Sequence, residues 1–238
     1  MSAPRPGLLA PTPPRRGGGR PRPNPVPFPW DARSPRNARQ IEANYAVLRQ
    51  RVIDEALAGT LPTSALVREW HRNSVQGVQL AERWVAGNYR GQGPAGSRLS
   101  SYVNQVGGVE GAPARRVTQQ VNDTFAELAR QAALLDARSA AGEDLGQLYA
   151  DLLRLCGWIH GQWVRIHPFA DHNGSLARLL ALSIGLRYGL PLPLPGKPRN
   201  SAPVAAGLSV NYDVAASNQM LGDDTLMISY LHLALTQP

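Results

Sequence analysis

Between residues 165 and 180 the chain reads RIHPFADHNGSLARLL, and a histidine, an aspartate, an asparagine and a glycine fall within eight positions of it. Each type suits one part of a phosphate-handling reaction. His167 has the side chain best able to take a proton from an incoming hydroxyl near neutral pH. Asp171 offers the hard oxygen that Mg²⁺ prefers, a cation that takes few carboxylates and completes its shell with phosphate oxygens. Pro168 stops the preceding helical pattern at about His167, and a new one starts near Asn173 or Gly174. The first amides of a helix have no partner within it, and the helix dipole adds positive potential there, so an anion is favoured. Gly174 lets a ligand come close to that backbone. Asn173 can donate to a phosphate oxygen. Arg178, four residues after Gly174, reaches a further phosphate from the same face. Phe169 reads as the apolar peg that fixes the loop.

Helices must hold such a loop. In RQIEANYAVLRQRVIDEALAG, Ile41, Tyr45, Leu48, Val52, Ala56 and Leu57 recur at three- and four-residue steps, which is one apolar helix face. Gly59 and Pro62 end it, and Thr63 or Ser64 can cap a second helix through Leu66, Val67, Trp70 and His71. Residues 97–113 lack a helical period and surround a Gly-Gly pair, so a short β-hairpin or ordered flap is expected. Val117, Val121, Phe125, Leu128, Ala132 and Leu135 mark a third helix. A fourth spans about 143–165, with Glu143 and Asp144 placed to begin it, and leads into the polar loop. The fifth carries Leu176, Leu179, Leu180 and Leu186 until GLPLPLPGKP forbids a helix interior. Two more are expected near 203–220 and 224–235, the last with Asp223, Asp224 and Thr225 as capping groups. His160 and His71 read as core histidines, and the tryptophans as core rather than base-stacking residues.

The whole chain carries a net charge of +8 over 238 residues. Residues 1–39 hold eight arginines, one acid and eleven of the 21 prolines. That segment alone accounts for +7, and the remainder is nearly neutral, which argues against a nucleic-acid-binding domain. The segment is too poor in apolar residues to offset its ordering entropy and reads as a disordered, partly polyproline II tail. Two regions result: a Pro/Arg-rich tail over 1–38 and a helical domain over 39–238. Neither a signal-type apolar run nor a membrane-spanning stretch is found. The lone Cys156 excludes an internal disulfide, and a cytoplasmic location is expected.

HPFADHNGSLAR resembles the signature of the Fic-domain family, HPFx(D/E)GN(G/K)RxxR, at His167, Pro168, Phe169, Asp171, Asn173, Gly174 and Arg178. EWHRNSVQGV…AGNYRG and NYDVAASNQMLGDDTLMISYLHLAL resemble the segments before and after it, so the likeness covers roughly residues 60–235. The resemblance implies an all-α, mainly helical bundle with a short β-hairpin flap. It implies transfer of AMP from ATP to a hydroxyl of a target protein with Mg²⁺; relatives move UMP, phosphocholine or phosphate. It makes His167 the general base and Asp171 the metal ligand, with Asn173 and the amides of Gly174 and Ser175 around the diphosphate. Arg178 joins them as a nucleotide-binding residue. Pro168 and Phe169 become structural anchors of the loop. The target protein would bind along the flap at 97–112 by strand addition.

Two positions depart from the family pattern. His172 stands where the family has glycine; it is placed among the nucleotide-contacting residues, and a positive φ there is tolerated worse by His than by Gly. Ser175 replaces the first arginine of the motif, a charge-assisted bond of about 1.5–3 kcal/mol. The alternatives to AMP transfer are therefore another phosphate-containing donor and a Fic-fold binding module that has lost turnover. The family's self-inhibitory (S/T)xxxE(G/N) helix has its nearest match at Ser139–Asp144, so a separate inhibitor protein is the partner expected if inhibition exists.

Overall fold

A computed structural model describes residues 27–106, 108–194 and 211–236. Helices dominate. α1 spans Pro35–Leu57, α2 Ser64–Ser74, α3 the short turn Arg98–Ser101, α4 Ala114–Ala140, α5 Leu145–Ile166, α6 Asn173–Arg187, α7 Tyr212–Met220 and α8 Thr225–Thr236. The strands β1 (Gln105–Val106) and β2 (Val109–Glu110) pair antiparallel, Gln105 opposite Glu110 and Val106 opposite Val109.

The helix starts follow from local chemistry. Ser34 accepts from the Asn37 amide and Pro35 occupies the first turn, where a missing N–H costs nothing. Thr63 caps α2 through the Leu66 amide. Asp144 and Gln147 close a reciprocal capping box at the start of α5. Asn211 caps α7, and Asp223 accepts from the Thr225 amide where α8 begins.

α5 is the central element. It packs against α4, α6, α7 and α8, while α6 also lies along α1. Leu176 through Gly185 are buried without a break, so α6 is enclosed on every side and is mostly apolar, with Arg178 and Ser183 as buried polar exceptions. Cys156 and Ile159 are fully buried in the same core.

Two expectations are corrected. The segment 97–113 is not hairpin throughout: Ser97 accepts from the Ser100 amide and starts the helical turn α3, which buries Leu99, and strands of two residues each follow. The packed structure starts before residue 39. Trp30 is 3% exposed, bridges to Leu80, and the Ala81 amide donates to Pro29 O. An apolar indole so close to a Pro/Arg-rich run supplies the burial that the rest of that run lacks. Of the helix expected over 203–220 only Tyr212–Met220 is described; residues 203–210, and residues 1–26 of the tail expected over 1–38, lie outside the described residues.

No helix among the described residues is long and apolar enough to cross a membrane.

Candidate active site

The loop 167–172 turns the chain from α5 into α6, and two left-handed residues make the corner. His167 has φ 50° and His172 has φ 63°. The second sits where the resemblance places a glycine, so the conformation that would favour glycine is present and is adopted by histidine.

Three clasps hold the loop. Phe169 is fully buried, stacked on His71 with centroids 3.9 Å apart, and rests against Tyr89. Asn173 closes the loop on itself: its Oδ1 accepts from the Phe169 amide and its Nδ2 donates to Phe169 O, both at 2.9 Å. Arg90, 1% exposed, donates to the carbonyls of Tyr102, Ala112, Ile166 and His167 at 2.7–2.9 Å. The Arg90 amide also reaches Pro168 O at 2.7 Å. One guanidinium thus joins both ends of the flap to the end of α5. Gly111 belongs to the same contact. A Cβ there would come 2.8 Å from that of His167, so only glycine lets the flap lie this close.

A cleft of about 230 Å³ opens between this loop, Val106 of the flap and α7, and His167, Asp171, Gly174 and Arg178 face it. The His167 Nδ1–H donates to Val164 O at 2.9 Å, which leaves Nε2 as the basic nitrogen. Burial holds the His167 pKa below its ordinary value, against the opposing pull of the Val164 carbonyl. Asp171 is half-buried, and its Oδ1 accepts from the His172 amide at 2.6 Å. Among the described residues, no three His, Cys, Asp or Glu side chains gather into a metal site. Asp171 nevertheless fits Mg²⁺ in its phosphate-bound form, which needs few protein carboxylates. α6 begins with amides that no side chain caps.

Arg178 is buried among hydroxyls, those of Ser175, Tyr212 and Tyr45. It is 2% exposed, with NH2 3.3 Å from Ser175 Oγ and NH1 3.4 Å from Tyr212 OH. Its Nε has no acceptor, and no carboxylate lies within ion-pair distance among the described residues. Arg90, equally deep, is surrounded by carbonyls; Arg178 is not.

The structure thus gathers His167, Asp171, Gly174 and Arg178 on one cleft, and places two residues otherwise. The Asn173 amide group is committed to Phe169, so its contact with the cleft comes with a structural duty. His172 turns away from the cleft. Its Nδ1 lies 2.9 Å from Ser74 Oγ, and its ring stands edge-on to Trp30 at 4.9 Å. Because Ser74 Oγ donates to His71 O, it accepts from His172, so the His172 proton is on Nδ1. The left-handed backbone sends the side chain to the rear of the loop, where it lines a second cavity with Trp30 and Tyr45.

Tyr212 and Asp213 of α7 also line the cleft; neither was among the expected site residues, since no local pattern links residue 212 to residue 167 without tertiary contact. The tie is His160, fully buried, which donates Nδ1–H to Gln219 Oε1 and accepts at Nε2 from Tyr212 OH. It is a satisfied core histidine that docks α7. Glu143 pairs with Arg138 and Asp144 caps α5, so the Ser139–Asp144 segment has structural roles at the far end of that helix.

The Fic/DOC family model matches residues 62–184, more than half of the chain. A Fido domain-containing protein of Dictyostelium discoideum is 42% identical over 41 residues, a stretch that takes in 17% of this chain and 29% of that protein. Two solved structures share the fold. A Fic domain-containing signaling protein of Bacteroides thetaiotaomicron superposes with a TM-score of 0.54 at 21% identity, covering 85% of this chain and 72% of its own. The N-terminal Fic domain of a Bartonella effector protein, from Bartonella sp. AR 15-3, gives 0.50 at 16% identity, covering 82% and 81%. With the helical core, the flap and the HPFADHNGSLAR corner in place, the chain belongs to the Fic/DOC family.

Proposed function

We propose that this protein transfers a nucleotidyl group, AMP from ATP in the first instance, to a hydroxyl side chain of a target protein. The observation that carries this reading is Arg178. A buried guanidinium without a carboxylate is costly unless an anion joins it, and this one opens onto the cleft that also holds the α6 amides and His167. A polyphosphate supplies the missing charge. Mg²⁺, when bound, would neutralise part of the phosphate charge, with Asp171 as its protein ligand. The target hydroxyl oxygen attacks the α-phosphorus, its proton passes to His167 Nε2, and the bond to the pyrophosphate oxygen breaks. His167 is suited to this because burial keeps its imidazole neutral. The residues act by placing the reactants and stabilising charge.

The test uses labelled ATP and Mg²⁺ with a cell lysate as the source of targets. Label is expected on protein with the native chain and absent with His167→Ala, whose thermal midpoint should stay near that of the native chain. Equal labelling by the variant overturns the reading. Ser175 supports a second reading, in which the donor is UTP or CDP-choline, because the missing motif arginine removes a contact to the outer phosphates; the same assay with those donors decides between them.

A further inference from the structure

Another polar pocket, of about 410 Å³, lies between α4 and α5, next to the end of the flap at Ala112. Ala112, where the flap ends, and Ile166, next to His167, form its near wall; Asp123, Trp158, Gln162 and Arg165 form the rest. Its distance from the chemistry is short. Gly111 touches His167, and the Ala112 amide donates to Arg165 O and Ile166 O. A segment that presents a hydroxyl to His167 and continues past Gly111 meets this pocket within a few residues.

The hydrogen-bond directions in the wall define what it accepts. Arg165 NH1 donates to Gln219 O and to Asp224, each at 3.2 Å. The Gln162 amide oxygen receives Trp158 Nε1 and Arg165 NH2, both at 3.0 Å. Thr124 Oγ donates to Gln120 O at 2.8 Å. The Arg165 and Thr124 donors are thus directed at the protein itself, and the Arg165 charge is neutralised by Asp224. Acceptor capacity is left over at Asp123, whose Oδ1 receives only Gln119 Nε2, at 2.8 Å, among the described residues. The Trp158 ring adds a π face of the kind cations favour.

We propose that this pocket binds a lysine or arginine side chain of the target segment held along the flap, and so sets which hydroxyls are modified. The inference rests on the protein-modifying function proposed above. A basic side chain supplies the donors and the positive charge that Asp123 lacks, and its methylenes cover Ala112 and Ile166. An acidic side chain would face the Asp123 carboxylate, and the wall's one cation, Arg165, is already paired with Asp224.

The test reads binding apart from catalysis. The full chain, with ¹⁵N-labelled tryptophan, is titrated with Nα-acetyl-arginine methylamide, and Trp158→Phe identifies the Trp158 indole resonance. A saturable shift of that resonance is expected, at least threefold weaker in affinity for Asp123→Asn and absent for Asp123→Lys, with no saturable shift from the glutamate analogue. No saturable shift with the arginine probe, or equal shifts with both probes, overturns the inference. A second arm compares transfer to serine peptides that carry arginine or glutamate at positions flanking the serine. Preference for the arginine peptides, reduced at least threefold by Asp123→Asn while glutamate peptides are unaffected, supports it. Transfer without preference overturns the pocket's role and leaves the transferase reading intact. Arginine binding with transfer to no peptide or protein supports the pocket and rejects the transferase reading.

Discussion

His167 and His172 both adopt left-handed backbone, five residues apart, yet their rings serve opposite sides of the loop. His167 is tied by Nδ1 to Val164 O and offers Nε2 to the cleft. With its pKa lowered chiefly by burial, the basic form prevails above a value below the usual imidazole range. The acid limb of the transfer rate against pH should therefore have its midpoint below 6.5, measured with saturating donor. His172 presents a competition between a backbone better suited to glycine and an imidazole packed on Trp30 and Ser74. Alanine keeps the strain and loses the ring, whereas glycine loses the ring but relieves the strain. His172→Ala should thus be less stable than His172→Gly by about 1 kcal/mol in urea unfolding.

At the scale of elements, Arg90 couples three of them. It links the entry to the flap at Tyr102, the exit at Ala112 and the end of α5 at Ile166 and His167. Removing it leaves buried carbonyls without donors, each costing about 1–3 kcal/mol. Arg90→Ala should lower unfolding free energy by at least about 2 kcal/mol. Hydrogen exchange of the Val109–Ala112 amides should quicken more than that of α8, which makes no contact with Arg90. Uniform quickening would show that Arg90 stabilises the whole fold without any special hold on the flap. The residue stands in the NYRG segment, but its type and position reveal a cation only. That it gathers carbonyls from residues 102, 112, 166 and 167 depends on α5 and the flap being already packed together.

For the molecule as a whole, two buried histidines link stability to pH. Burial lowers the pKa of His160 to about 4 and that of His71 to about 3. In the unfolded chain both titrate near 6.5. Below 6.5 the unfolded state binds more protons, so stability is fully present above that pH and is lost as pH falls, to about 4 for His160 and about 3 for His71. Urea unfolding at pH 7.0 and 5.0 should show the loss, about 1.4 kcal/mol per pH unit for each histidine. His160→Gln should flatten the slope by roughly one proton.

Much of this protein was written in one dimension. Apolar stripes at three- and four-residue steps marked α1, α2, α4, α5 and α6, because a helix buries one face whatever surrounds it. The HPFADHNGSLAR spacing marked the corner, because a helix stop, two chemically active side chains and a helix start are all local events. What tertiary structure alone decided is direction and partnership. It turned His172 to the rear, committed Asn173 to Phe169, brought Tyr212 and Asp213 to the cleft through His160, and left Arg178 without a carboxylate among the described residues. The helical turn α3 within the expected flap and the packed Trp30 were equally hidden, since so few residues carry no period and are stabilised by contacts with chain far away in sequence.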